Sequence, residues 1–157
     1  MRLSSGSLYK AFKNKRGVFL AAFARYVERR NGKLSGLLEV ERTGLDKLKV
    51  ALRFYAESAH GLEGRRGCLV VGGAVEMTTL DKEMAGQVRQ ALWRNEAMLR
   101  DLAKRGQADG SIPAALDADA AALTLHCLLQ GMRIVGKAGR TAEEMASVAS
   151  LGLRLVN

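Results

Sequence analysis

Apolar side chains recur at helical spacing along almost the whole chain. The stripe between residues 45 and 60, for example, consists of Leu48, Leu52, Tyr55 and Ala59. Such i, i+3, i+4, i+7 spacing places side chains on one face of a helix, and no long run alternates with the period of two that a half-buried strand needs. We therefore predict an all-α fold with seven helical segments, over about residues 5–12, 15–31, 45–60, 68–77 and 81–105, after Asp117, and after Thr141.

Capping residues and glycines mark the ends of these segments. Asn14 and Asp117 are suited to accept hydrogen bonds from free first-turn amides, and Thr141 with Glu144 forms a capping box. Gly32 is predicted to end the second segment, and the loop at 106–116 carries turn chemistry. The apolar segment 68–77 fits a buried strand by periodicity alone; its helical neighbours favour a buried, weak helix.

The positive charge is concentrated at one end of the chain. The formal net charge is +9, and residues 1–66 hold 15 basic and 6 acidic side chains, whereas residues 67–157 hold 10 of each. An excess this localised indicates a polyanionic partner at the front of the molecule. A solvated basic face without a partner is the alternative interpretation.

The front segment also carries side chains suited to DNA. A short helix near residues 5–12 would present small hydroxyl residues at its first turn, and phenol and ammonium groups beside it, for phosphates or base edges. The run Ser-Gly-Ser-Leu-Tyr-Lys-Ala-Phe-Lys-Asn-Lys at 5–15 resembles the recognition helix and following turn of tetracycline-repressor-like (TetR) regulators. The glycine-bounded segment around Cys68, the long segment after it and the stretch 128–133 resemble the body of the same family. The DNA-contacting residues implied are Ser5, Ser7, Tyr9, Lys10, Lys13 and Lys15.

The resemblance implies an all-α protein with two parts. Residues 1–31 would be a partial DNA-binding headpiece, the remnant of a helix-turn-helix, and residues 32–157 a helical domain for effector binding and dimerisation. The first two helices of the family headpiece would precede Met1. A helix-turn-helix needs its first helix to orient the second on DNA, so this stretch alone is expected to bind DNA weakly and without sequence selectivity.

The resemblance further implies a small-molecule effector and a homodimer. The candidate ligand-binding residues are Phe54, Tyr55, Cys68, Met77, Trp93, His126 and Gln130. Aromatic and methionine side chains at helical spacing are more often core than pocket, so a purely structural role is the alternative for each. Small residues in the last two segments would allow close helix packing between two copies, or internal packing in a monomer.

Other functions have little support in the sequence. We find no nucleophile elbow, phosphate-binding loop, dinucleotide glycine pattern or zinc-protease motif, so we expect no catalytic activity, cofactor or metal. Cys68 and Cys127 suggest reduced thiols in a cytoplasmic protein, although Cys68 follows two arginines and could be a reactive sensor. The remaining alternative is a basic helical adaptor for acidic proteins or membranes. Its apolar face would consist of Phe19, Phe23 and Tyr26, and its basic face of Arg16, Arg25, Arg29 and Arg30.

Overall fold

The structure, a computed structural model, describes residues 14–156 and is helical without strands over that range. Its seven α-helices are α1 (Lys15–Glu39), α2 (Gly44–Glu57), α3 (Gly61–Arg66), α4 (Leu69–Val75), α5 (Lys82–Asp109), α6 (Ala118–Val135) and α7 (Ala142–Leu153). A 3₁₀ turn, Gly136–Ala138, follows α6 directly. The predicted all-α fold is confirmed, while the predicted first segment lies outside the described residues.

The predicted helix starts are confirmed by their hydrogen bonds. The Asn14 side chain accepts from the amide of Gly17, and Asp117 accepts from the two amides of the first turn of α6. Thr141 and Glu144 form both hydrogen bonds of the capping box at α7. Because each cap satisfies amides that have no partner within their helix, local sequence fixes these boundaries.

The observed helices differ from the sequence prediction at the end of α1 and at α3. Helix α1 continues through Gly32 to Glu39, because Gly32 lies on an exposed face and Leu34 is buried beyond it. The prediction of a stop at Gly32 was therefore wrong. The predicted division between residues 31 and 32 falls inside this helix, and the two-part organisation stays a prediction. The short helix α3 was not predicted; residues 58–60 separate it from α2, and its first residue, Gly61, has a φ of 58°. Segment 68–77 is helical over Leu69–Val75, as we favoured.

Helix α2 is the central element of the larger core. Its residues Leu48, Ala51 and Leu52 are at most 1% exposed and pack in one cluster with side chains of α5, α6 and α7. Gly44 allows the start of α2 to approach α5 closely, since a Cβ at this position would overlap the backbone of Gly106 on α5. Burying each large apolar side chain contributes roughly 1.5–3 kcal/mol, so this cluster dominates the stability of the fold.

A second, smaller cluster fixes the long helix α1 to the body. Phe23 of α1 packs with Val70 of α4 and with Val88 and Ala91 of α5, and each is at most 6% exposed. The space between the two clusters is bordered by α1, α2, α4, α5 and α6, and it contains the polar side chains described next.

Candidate functional site

The front end of α1 is the described part of the predicted DNA-binding surface. Lys15 is the first residue of this helix and is exposed. The first turn of α1 contains no acidic side chain of its own, so no residue within this helix offsets the positive end of its dipole. The other predicted DNA contacts, Ser5, Ser7, Tyr9, Lys10 and Lys13, lie outside the described residues, and their role stays a prediction.

This end of α1 is joined to the body by ion pairs. Arg16 donates to Asp81 from Nε at 2.6 Å and to Glu83 from Nη2. Asp81 also caps α5, since its carboxylate accepts from the amides of Glu83 and Met84. The hydrogen bond from the Met84 amide and the one from Arg16 both lower the pKa of Asp81. A single carboxylate therefore anchors the start of α5 and the start of α1 together.

A small cavity lies between α1, α2, α4, α5 and α6. It encloses about 20 Å³ and is lined by Tyr26, Val27, Arg30, Asn31, Tyr55, Cys68, Val70, Ala91, Asn95 and Gln130. Three of the predicted ligand-binding residues, Tyr55, Cys68 and Gln130, thus lie around one cavity. Their proximity agrees with a shared site, although their role in ligand binding stays a prediction.

Arg30 closes this cavity on the side of α2. Its guanidinium lies 4.9 Å from the ring centroid of Phe54 and 5.0 Å from that of Tyr55, within the range of cation–π attraction. Its Nη1 atom is 3.4 Å from the Glu63 carboxylate, while its Nη2 atom is buried without a partner among residues 14–156. Phe54, another predicted ligand-binding residue, is 5% exposed and borders an open groove on the outer side of Arg30.

Cys68 lies in a polar environment at the start of α4. The Tyr26 hydroxyl donates to its Sγ atom at 3.3 Å. Burial acts to raise the pKa of Cys68, but the hydrogen bond from Tyr26, one from the Val71 backbone and the charge of Arg133 together lower it. The thiolate is consequently favoured relative to an ordinary cysteine, which is the condition for reactivity.

The remaining predicted ligand-binding residues lie elsewhere. Met77 packs against the smaller apolar cluster, and His126 is buried with Nδ1 at 3.7 Å from a Glu96 carboxylate oxygen. Burial lowers the pKa of His126, and Glu96 opposes this effect. Trp93 is 65% exposed and faces Arg89 on the surface of α5, so the structure does not bring it to the cavity.

Several polar residues near the cavity were not predicted as part of a site. They are Tyr26, Arg30, Asn31, Asn95 and Arg133. Tyr26 was interpreted as an apolar-face residue and Arg30 as part of a solvated basic face. Arg133 could have been identified from the sequence. A charged residue between Met132 and Ile134 in an apolar helix is unusual unless it is paired or binds a ligand.

Residues 14–156 contain neither a metal-binding cluster nor a helix suited to span a membrane. No group of three or more histidine, cysteine or acidic side chains there is arranged to hold a metal ion. None of the helices described is long and apolar enough to cross a membrane.

The arrangement of helices agrees with a sequence match to a known domain. Residues 44–151 match the family model of the tetracyclin repressor-like, C-terminal domain. The chain belongs to the TetR family. The predicted family is thus confirmed, and with it the predicted function as a transcriptional regulator.

Individual TetR proteins agree with this assignment. The chain is 26% identical over 152 residues to the HTH-type transcriptional repressor ComR of Escherichia coli K12, covering 95% of this chain and 71% of ComR. A cysteine mutant of the TetR-family regulator CifR, complexed with 26-bp operator DNA, is 26% identical with a TM-score of 0.84. That match covers 97% of this chain and 80% of CifR. A TetR-family regulator from Agrobacterium tumefaciens has the same fold, at 16% identity and a TM-score of 0.87 over 99% of this chain and 81% of that one.

Proposed function

We propose that this TetR-family chain is a repressor that binds operator DNA as a homodimer and releases or tightens that binding when a small effector occupies the region around Arg30. The observation that carries the proposal is the continuity of α1. Lys15 at its front end and Arg30 at the cavity lie on one unbroken helix, about 22 Å apart at 1.5 Å per residue. A ligand that shifts α1 at the cavity therefore moves the end that faces DNA.

The front end of α1 is suited to a DNA phosphate. The first amides of a helix lack partners within it and attract anions, and the exposed Lys15 ammonium adds a full charge. A cysteine mutant of CifR, with the same fold and 26% identity, forms a complex with operator DNA, which supports DNA as the partner of the basic front of this chain.

Replacing Lys15 tests the DNA-binding step. One DNA duplex of fixed sequence would be titrated with the wild type and with Lys15→Ala at several salt concentrations. Removing one phosphate contact should weaken binding to all duplexes about equally and reduce the salt slope by about 1. Lys104→Ala, at an exposed position on α5, is the matched control and should change nothing. Equal effects of both variants would contradict the assignment.

A homodimer is supported by exposed apolar side chains on the last two helices and just beyond them. These residues and their exposed fractions are Leu123 52%, Ile134 53%, Val135 44%, Leu151 64% and Leu155 51%. Exposed apolar side chains favour burial against another protein, and a two-fold pairing of α6 and α7 would bury these in a four-helix interface.

A charge placed in this surface should separate the dimer. Leu151→Glu would bury an unpaired carboxylate at the interface, so we expect the dimer to dissociate at least tenfold more readily, by about 1.4 kcal/mol or more. Sedimentation velocity at micromolar concentration would measure this. Leu62→Glu, at a position on α3 that is 59% exposed, should leave the association unchanged. A wild-type protein that sediments as a monomer would refute the homodimer.

The adaptor alternative is disfavoured by the packing of α1. Phe23 is 2% exposed, and Phe19 stacks on it at 5.7 Å and packs against the smaller core cluster. The aromatic face that would contact a membrane or partner is therefore already used inside the protein. We propose no catalytic activity for the chain.

A further inference from the structure

Buried donors without partners are concentrated around the cavity of the proposed effector site. Arg133 is 1% exposed and donates from Nη2 to the Gly67 carbonyl at 2.8 Å, but its Nε and Nη1 atoms have no partner among residues 14–156. Gln130, one turn earlier on α6, has an equally unpartnered buried Nε2 atom, and so does Arg30 at Nη2. Buried donors in native proteins are nearly always paired, so several in one place need an explanation.

The cavity has positive potential. Its ten lining residues include a guanidinium, three amides, two phenol hydroxyls and the Cys68 thiol, but no carboxylate. Cys68 is thus the one lining group that can offset part of the positive charge, as its thiolate. Both Arg30 and Arg133 act to lower the pKa of Tyr55, although burial outweighs them and raises it. The carboxylate that reaches Arg30 belongs to Glu63, whose side chain is 59% exposed, so solvent weakens its compensation. Buried cations without a close counter-charge are costly, and a bound anion would remove that cost.

An open basic groove lies on the other side of the same two side chains. Tyr26 and Arg30 line both the inner cavity and this groove of about 560 Å³. The groove is also lined by Ala22, Arg25, Arg29, Lys33, Phe54, Glu63, Arg66 and Gly67. It therefore attracts anions electrostatically. Its apolar surface comes from Ala22 and the ring of Tyr26, because Phe54 is 5% exposed beneath Arg30 and Lys33. The cavity of about 20 Å³ has room for one small polar group only, whereas the groove accommodates the body of a metabolite.

We propose that the effector is an organic anion, with a carboxylate or similar oxyanion head bound by Arg30 and Gln130 beside Arg133, and an apolar body in the groove against Ala22 and the ring of Tyr26. The inference rests on the proposed function, because it names the chemical class of the ligand at that site. Planar guanidinium groups bind oxyanions through two parallel hydrogen bonds, which gives Arg30 the leading role. Entry of the head group requires the side chains of Tyr26 and Arg30 to turn, since they separate groove from cavity.

Matched pairs of charged and neutral probes test this class directly. Isothermal titration calorimetry of the whole chain would compare benzoate with benzamide and hexanoate with hexanamide, at constant ionic strength. At least one carboxylate should bind at least tenfold more tightly than its amide. Arg30→Met should weaken that binding at least tenfold, and Arg30→Lys should weaken it less, because it retains the charge but loses the paired geometry.

The control variant is Arg53→Met, which removes an exposed arginine on α2 that pairs with Glu57, away from this cavity. It should bind each probe as the wild type does. The proposal is overturned if amides bind as well as carboxylates, if no carboxylate binds at millimolar concentration, or if Arg30→Met and Arg53→Met behave alike. Circular dichroism would show whether Arg30→Met still folds. If it does not, the binding of carboxylates to Arg30→Lys is compared with that of the wild type instead.

Operator binding measured with the same probes separates this inference from the proposed function. A carboxylate that binds through Arg30 but leaves DNA affinity unchanged would confirm the anion site and contradict effector control. Release of DNA by neutral compounds, with no response to carboxylates, would confirm effector control and overturn the anionic class.

Discussion

The groove between α2 and α7 and the cavity beside Arg30 differ in what their side chains do for the protein. The groove encloses about 420 Å³ and is lined by Leu52, Leu153 and four alanines, with charged residues such as Arg53 and Glu57 exposed on it. The cavity is some twenty times smaller, yet unpartnered donors are buried around it. Small side chains leave space between any two helices, whereas buried polar groups without partners cost stability. Buried donors without partners therefore indicate a binding site better than the volume of a groove does.

The largest expected effect concerns the apolar region. Leu52 is 1% exposed, packs in the larger core cluster and contacts the position of Gly152, so Leu52→Ala removes buried methyl groups and leaves a cavity. We expect a loss of about 3 kcal/mol in the free energy of unfolding, measured by urea denaturation. Leu62→Ala, at a largely exposed residue, should cost less than about 0.5 kcal/mol. Similar losses in both variants would mean that the α2–α7 region does not carry the stability assigned to it.

A smaller effect is expected at the thiol of the polar region. Tyr26→Phe removes the hydroxyl that donates to Cys68, so the pKa of Cys68 should rise and less thiolate should be present at neutral pH. Alkylation of Cys68 by iodoacetamide, followed by mass spectrometry, should slow about fivefold. Cys127, which is exposed on α6, serves as the internal control and should react at an unchanged rate. An unreactive Cys68 in the wild type would end its interpretation as a sensor.

The same thiol gives a pH dependence with a defined sign. A pKa that is lower in the folded than in the unfolded state means that folding releases a proton. The free energy of unfolding should therefore rise with pH between the folded pKa and about 8.5, the usual value for an unfolded cysteine. The part of the free energy of unfolding that ionised Cys68 contributes is lost as the pH falls through the pKa of Cys68 in the folded protein. Cys68→Ser should abolish this part of the pH dependence, and a rise of equal size in that variant would assign it to another group.

The difference between the regions also explains what the sequence could predict. Helix starts at Asn14, Asp117 and Thr141 were predicted correctly because a cap and the amides it satisfies are within three residues of each other. The continuation of α1 past Gly32 was missed, because burial of Leu34 outweighs the local preference of glycine to end a helix. Tertiary packing of this kind is not visible in a local pattern.

The candidate site was predicted only in part for the same reason. Tyr55, Cys68 and Gln130 were selected for their chemistry, and the fold places them around one cavity. Arg30 looked like a solvated residue of a basic helix, since nothing in its neighbours indicates that Phe54 and Tyr55, far along the chain, pack beneath its guanidinium. Trp93 was selected for its aromatic ring but lies on the outer face of α5. The rotation of each helix about its own axis determines whether such a side chain faces the cavity or the solvent.

The smallest expected effect gives the sharpest contrast with Leu52. Arg133 is as buried as Leu52, yet Arg133→Met should change the free energy of unfolding by less than about 1 kcal/mol, measured by the same urea denaturation. Two opposing effects explain this expectation. The Gly67 carbonyl loses its donor, whereas a buried cation with two unpartnered nitrogen atoms is replaced by an apolar chain of similar length. Arg53→Met, at an exposed ion pair, is the control and shows how much the free energy of unfolding changes when an arginine that contributes little to stability is replaced. A loss above about 3 kcal/mol would instead show that the charge of Arg133 is already balanced within the folded protein, most directly by the Cys68 thiolate. The polar region would then stabilise the fold much as the apolar region does.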